Sequence, residues 1–172
     1  ASGLFLGLTW FELVWRKPGN PTHIGTVFIL LLLVTTGSRI LLGKTSIEVD
    51  PLHLLHHLYA KLRFTVSRPV YKNMLENIAN LSNFKGMEYF ILLMIGTVTY
   101  DGLRGTTFWY NLFGSSTLDM GFSTFAFFAI NILIISSYRF ACWFALRVSG
   151  EQQDLNKVSL LFGHTMLPIA FA

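Results

Sequence analysis

Val27-Phe28-Ile29-Leu30-Leu31-Leu32-Leu33-Val34 places eight apolar side chains in a row inside the stretch His23 to Leu42, where Arg39 is the one charged residue. Crossing about 30 Å of hydrocarbon takes about 20 mostly apolar residues in a helix, and this stretch has that length. Four further apolar stretches lie around it. Ala1 to Trp15 stops at Arg16-Lys17-Pro18-Gly19-Asn20-Pro21, a turn-rich connector. Met87 to about Tyr100 follows a long polar loop. Met120 to Leu146 is the longest and is interrupted by Tyr138-Arg139, and the last runs from about Val158 to Ala172. The expected fold is an all-α, polytopic transmembrane helix bundle with about five membrane segments, residues 1–172 forming a single transmembrane domain. Both ends fall inside apolar segments. No basic region or small-residue cleavage site marks the start as a signal peptide, so the expectation is part of a longer chain.

Composition agrees. Of the 172 residues 52% are hydrophobic and 13% charged, with a mean hydropathy of +0.52, whereas a soluble domain carries roughly 25% charged residues. A water-soluble fold of this length cannot hide so much apolar surface. A cytosolic enzyme, a disordered chain and a nucleic-acid binder are excluded on this reading, despite a pI near 9.4. The single cysteine, Cys142, excludes an intrachain disulfide and a cysteine-based zinc site.

The Lys and Arg residues set the expected orientation. If all five segments cross, one side holds Arg16, Lys17 and Arg104. The other holds Arg39, Lys44, Lys61, Arg63, Arg68, Lys72, Lys85, Arg139, Arg147 and Lys157. The basic loops, 43–86 and 147–157, are therefore expected in the cytoplasm of a cell-membrane protein. Within the loop 43–86, Asp50-Pro51 reads as an N-cap followed by proline at the first helical position. Leu52, Leu55, Leu58, Tyr59 and Leu62 recur at helical spacing with His53, His56, His57 and Lys61 between them. This predicts an interfacial amphipathic helix over about 51–65. Tyr71 to Leu81 is expected to form a second short helix.

Ionisable residues inside spans are candidate functional sites, because each costs roughly 2.5–3.5 kcal/mol to insert. Glu12, Asp101, Arg139 and His164 qualify, and each also has an ordinary explanation. Glu12 lies four residues before Arg16, the spacing of a helical ion pair. Arg139 can snorkel to the headgroups. Asp101 can belong to a helix-ending turn, with Arg104 as partner. His164 lies in Phe162-Gly163-His164-Thr165-Met166-Leu167-Pro168, where Pro168 favours a kink at the histidine. A neutral histidine bonded to a neighbouring helix explains it equally. At 1.5 Å per residue, Asp101 sits about 21 Å above Met87 and His164 about 10 Å above Val158, which does not support a tight triad with Glu12. The spacing of His53, His56 and His57 admits a metal reading, but H-E-x-x-H is absent and a histidine-rich interfacial face fits better. His23 is too shallow for a haem ligand. No metal site is expected and no cofactor is identifiable. Gly3 and Gly7 have the spacing of a close helix contact.

Three stretches carry a family resemblance: Leu8-Thr9-Trp10-Phe11-Glu12-Leu13-Val14-Trp15; Thr97-Val98-Thr99-Tyr100-Asp101-Gly102-Leu103 with Thr106-Thr107-Phe108-Trp109; and Gly163-His164-Thr165-Met166-Leu167-Pro168-Ile169-Ala170. In order and spacing they resemble bacterial multi-pass membrane proteins of the fenitrothion hydrolase family. The family's Phe-Asp-Gly is Tyr100-Asp101-Gly102 here, and Thr107 stands where a proline is usual. The resemblance implies a polytopic helical protein with further spans on either side of this chain.

Two functions follow as expectations. One is a non-catalytic, multi-pass subunit, structural or accessory, whose partners are the lipid bilayer and other membrane proteins, with no nucleic acid. The other is an intramembrane hydrolase in which His164 is a base or ligand and Asp101 orients it or binds water, with Glu12 a third candidate and a water-lined path the expected link among the three. A transporter is a weaker third, since no inverted repeat is visible.

Overall fold

The structure, a computed structural model, describes residues 1–15, 20–42, 50–62, 65–67, 70–72, 86–114, 119–150 and 154–170. In chain order the elements are α1 (Ser2–Leu13), α2 (Pro21–Leu42), α3 (Pro51–Leu62), β1 (Thr65–Ser67), β2 (Val70–Lys72), α4 (Met87–Arg104), α5 (Thr107–Phe113), α6 (Met120–Ser149), α7 (Leu155–Thr165) and α8 (Leu167–Ala170). The two strands pair antiparallel, Thr65 opposite Lys72 and Ser67 opposite Val70. The protein is otherwise helical among the described residues.

Helix α4 is the axis of the bundle. Phe90, Ile91, Leu92, Leu93 and Met94 are all buried, as are Gly96, Thr97 and Tyr100, because α1, α6, α7 and α8 pack around it. Around its first half, Met87, Phe90, Ile91 and Met94 meet Leu54 and Leu58 of α3, Phe5 of α1 and Ala170 of α8. Around its last turns, Tyr100 meets Val14, Trp10 and Leu13 from the end of α1 and Ala126 and Phe127 from the start of α6. Start-to-start and end-to-end contacts make α1 parallel to α4, and α6 antiparallel to both. The second cluster is aromatic: Tyr100 meets Phe127 edge-on at 5.3 Å, Trp109 lies 4.6 Å from Phe113, and Trp10 Nε1 donates to Thr124 Oγ1 at 3.2 Å.

Helix starts follow capping chemistry. Asp50 Oδ1 accepts from the amides of Leu52 and His53, with Pro51 next, as the sequence predicts. Asp119 caps α6 through the amide of Phe122 at 2.9 Å, and Thr106 caps α5 through that of Trp109. Side-chain oxygens here satisfy amides that have no partner within the helix. Helix α7 stops at Thr165 and α8 resumes at Leu167, so the break falls between His164 and Pro168.

Several expectations need correction. The helix expected over about 51–65 runs over Pro51–Leu62, and Thr65 opens a strand, which the β-branched Thr65, Val66 and Val70 favour. Tyr71 and Lys72 lie in β2 rather than in a helix, while 73–81 fall outside the described residues. On α3, Leu54 and Leu58 are buried in one cluster with Met87 and Phe90, whereas Tyr59 is exposed. Among the described residues one helix, Met120–Ser149, is long and apolar enough to cross a membrane, and Pro21–Gly37 is a shorter apolar helix. Helices α1 and α7 have 12 and 11 residues, and α4 carries Glu88, Asp101 and Arg104 within its 18.

Candidate functional site

The polar chemistry inside the bundle gathers where the first turn of α4, the third quarter of α6 and the first two turns of α7 meet. Glu88 sits in the first turn of α4, where unpaired amides favour a negative charge, and its side chain is only 7% exposed. Opposite it on α6 stand Tyr138 and Arg139. From α7 come Asn156, Ser159 and Gly163, whose spacing of three and four puts them on one side of a helix.

The contacts lock these elements together. Arg139 Nη1 lies 3.5 Å from Glu88 Oε1 and donates to Tyr89 Oη at 2.6 Å, while Nη2 donates to Asn156 Oδ1 at 3.1 Å. The guanidinium also lies beside the Tyr89 ring, 5.8 Å from its centroid, a geometry with some cation–π attraction. Tyr138 donates its hydroxyl proton to the carbonyl of Ser159 at 2.6 Å. Gly163 permits this approach: a Cβ there would lie 3.2 Å from Glu88 Cβ and 3.6 Å from Tyr138 Oη. Glu88 Oε2 and Ser159 Oγ are buried with no hydrogen-bond partner among the described residues. One bond in this set can be tested alone. Tyr138→Phe keeps the ring and deletes the donor, and its expected cost is about 1 kcal/mol, read as a small fall in melting temperature.

The sequence candidates are dispersed. Glu12 is exposed on α1, and Arg16, its expected partner, lies outside the described residues. Asp101 is 55% exposed and pairs with Arg104, Nε to Oδ1 3.2 Å. Arg104 also donates to the carbonyl of Leu13 and so ties the end of α4 to the end of α1. Cause and effect here are those of a helix terminus, the ordinary explanation for Asp101. The backbone of His164 follows Gly163, which touches Glu88. Asp101 is thirteen residues further along α4, about 20 Å away along the helix axis, so the two do not share a site. Among the described residues no group of three metal-ligating side chains occurs, and His56 Nδ1 lies 2.7 Å from the carbonyl of Leu52 in its own helix.

Glu88 is the residue that sequence reasoning missed. It follows Met87, the first residue of the apolar stretch, and so reads as a boundary charge. The signal was nonetheless there. On the topology expected from the Lys and Arg residues, Glu88 and Arg139 fall at the same end of the bundle, and the lone arginine of the longest apolar segment needs a partner. Arg139 was expected to snorkel; its side chain is 28% exposed, and it points its bonds at Glu88, Tyr89 and Asn156. No family model, curated protein or solved structure matches this chain.

Proposed function

We propose that this chain is a multi-pass integral membrane protein, a structural or accessory subunit without a catalytic centre of its own, with the architecture of the fenitrothion hydrolase-like proteins it resembles. The observation that carries the reading is the outward side of α6. Phe125, Phe128, Ile132, Leu133, Phe140, Trp143, Phe144 and Val148 are all exposed on one helix, as are Phe28, Ile29, Leu30, Leu32, Leu33 and Val34 on α2. In water, apolar patches of this extent are rare on a monomer, whereas hydrocarbon solvates them. The polar residues point the other way: Glu88, Asn131, Thr97 and Ser159 are buried between helices. Apolar outside and polar inside is the arrangement that a lipid solvent favours. An open groove of about 430 Å³ between Phe125, Phe128, Ile132 and Leu133, floored by Ala129 and Ser136, supports a neighbouring helix as partner, since small residues permit close approach. The hydrolase reading has less support, because the backbone of α7 passes Glu88 at Gly163 and Asp101 lies about 20 Å further along α4.

Alkaline carbonate is expected to leave the chain in the membrane pellet, with detergent alone releasing it. In a Cys142→Ser background, Lys61→Cys is expected to react with an impermeant maleimide only after permeabilisation, and Thr107→Cys in intact cells. Release by carbonate sinks membrane residence, and the opposite labelling pattern reverses the orientation. A lone protomer after extraction in mild detergent removes the subunit assignment.

A further inference from the structure

Arg139 is held from behind and is unspent in front. A guanidinium has five N–H groups, and the contacts to Glu88, Tyr89 and Asn156 use three. The other two have no partner among the described residues. Tyr89 accepts from Arg139, so its own hydroxyl proton is directed elsewhere. Asn156 gives its Oδ1 to Arg139, which leaves its amide N–H groups for another acceptor. Tyr89 and Asn156 are exposed and Arg139 is partly so. The mouth of the junction thus gathers several donors around the guanidinium, and the one carboxylate of α7's start among the described residues, Asp154, accepts through Oδ1 from the amide of Asn156 at 3.0 Å. Phe140, Trp143 and Phe144 are exposed beside Arg139, and Arg147 lies exposed among them two turns further along α6.

We infer that Arg139, Tyr89 and Asn156 form a binding site for the phosphate of an anionic phospholipid headgroup, its acyl chains running from Arg139 back toward mid-helix along the exposed apolar side of α6. The inference rests on the membrane reading above. Charged donors to phosphate oxygens make strong, directional hydrogen bonds, and basic recesses between transmembrane helices on the cytoplasmic side are where acidic headgroups bind. Depth agrees: Arg139 lies nineteen residues beyond Met120, about 29 Å along the axis, close to one thickness of hydrocarbon. Glu88 fixes the direction of the guanidinium through one long contact and leaves its outer edge free. The exposed apolar side chains that run from the site toward mid-helix select a lipid over a soluble anion, since a free phosphate gains nothing from them.

The test uses the detergent-purified, delipidated chain, titrated with phosphatidylglycerol or phosphatidylcholine and read by native mass spectrometry. One phosphatidylglycerol is expected to bind at least tenfold more tightly than phosphatidylcholine. The variant E88Q/R139Q removes both charges together, keeps amide hydrogen bonds and leaves no unpaired buried carboxylate. It is expected to lose the preference, while Lys72→Gln, a basic residue outside the cluster, retains it. Equal binding of the two lipids, or an undiminished preference in E88Q/R139Q, overturns the inference. So does full displacement of phosphatidylglycerol by millimolar inorganic phosphate, which would make the ligand a free anion. Carbonate extraction reports separately on membrane residence, so a chain that stays in the membrane but shows no preference sinks this site alone.

Discussion

Arg139→Ala is expected to lower the stability of the purified protein by about 3 kcal/mol, because it strands Glu88. Removing one member of a buried ion pair typically costs about 3–5 kcal/mol, and partial exposure of Arg139 puts this pair at the lower end. The carboxylate would keep its burial and lose its counter-charge, with Oε2 already lacking a partner. Tyr89 and Asn156 would lose their bonds to α6 in the same step, loosening α7 from the bundle. Thermal unfolding in detergent measures the loss, and the double variant E88Q/R139Q separates the causes. Two facing amides strand no charge, so the pair is expected to recover most of the stability. A double variant as unstable as Arg139→Ala would show that side-chain packing, not the stranded charge, is responsible.

Gly96→Ala is expected to cost about 2 kcal/mol through overpacking, the usual range being roughly 1–3 kcal/mol. A Cβ at position 96 would stand 2.4 Å from Asn131 Oδ1, 3.0 Å from its Cγ and 3.2 Å from its Cα. Asn131 cannot swing aside without loss, since it is buried and its Nδ2 donates to the carbonyl of Phe127 at 2.9 Å. The expected signature is non-additivity. Asn131→Ala removes the Oδ1 and Cγ obstacles, so the double variant should be more stable than the sum of the single changes predicts. Additive effects in thermal unfolding would mean that α4 and α6 do not meet at this depth. The same contact explains why α4 is so thoroughly covered: a glycine opposite an asparagine lets the two longest-packed helices approach in mid-bundle.

The sequence made the helices legible because apolar runs and their punctuation are local signals. Met87 and Met120 were read as starts and are starts, and Asp50-Pro51 caps a helix as its chemistry demands. The hairpin was not legible, since three-residue strands leave no periodicity to read, and the pattern at Tyr71 fits a helix equally well. The polar junction was half legible. Arg139 stood out as a charge within an apolar stretch, yet its partner is fifty-one residues away in the chain, and pairing at that range is decided by packing. Asp101 and His164 stood out for the opposite reason. Each is conspicuous in its own segment, but local prominence carries no information on which end of a neighbouring helix lies beside it.

The 30 residues of α6 amount to about 45 Å of rod, half as long again as the oily layer is thick. An ordinary tilt of about 20° shortens that only to roughly 42 Å, the distance between the outer limits of both headgroup zones. On the membrane reading proposed above, a protein built on such a strut is tuned to one class of membrane. Short-chain lipids would push Trp143 and Phe144 into water, and the chain should favour thicker bilayers whenever it can choose between them.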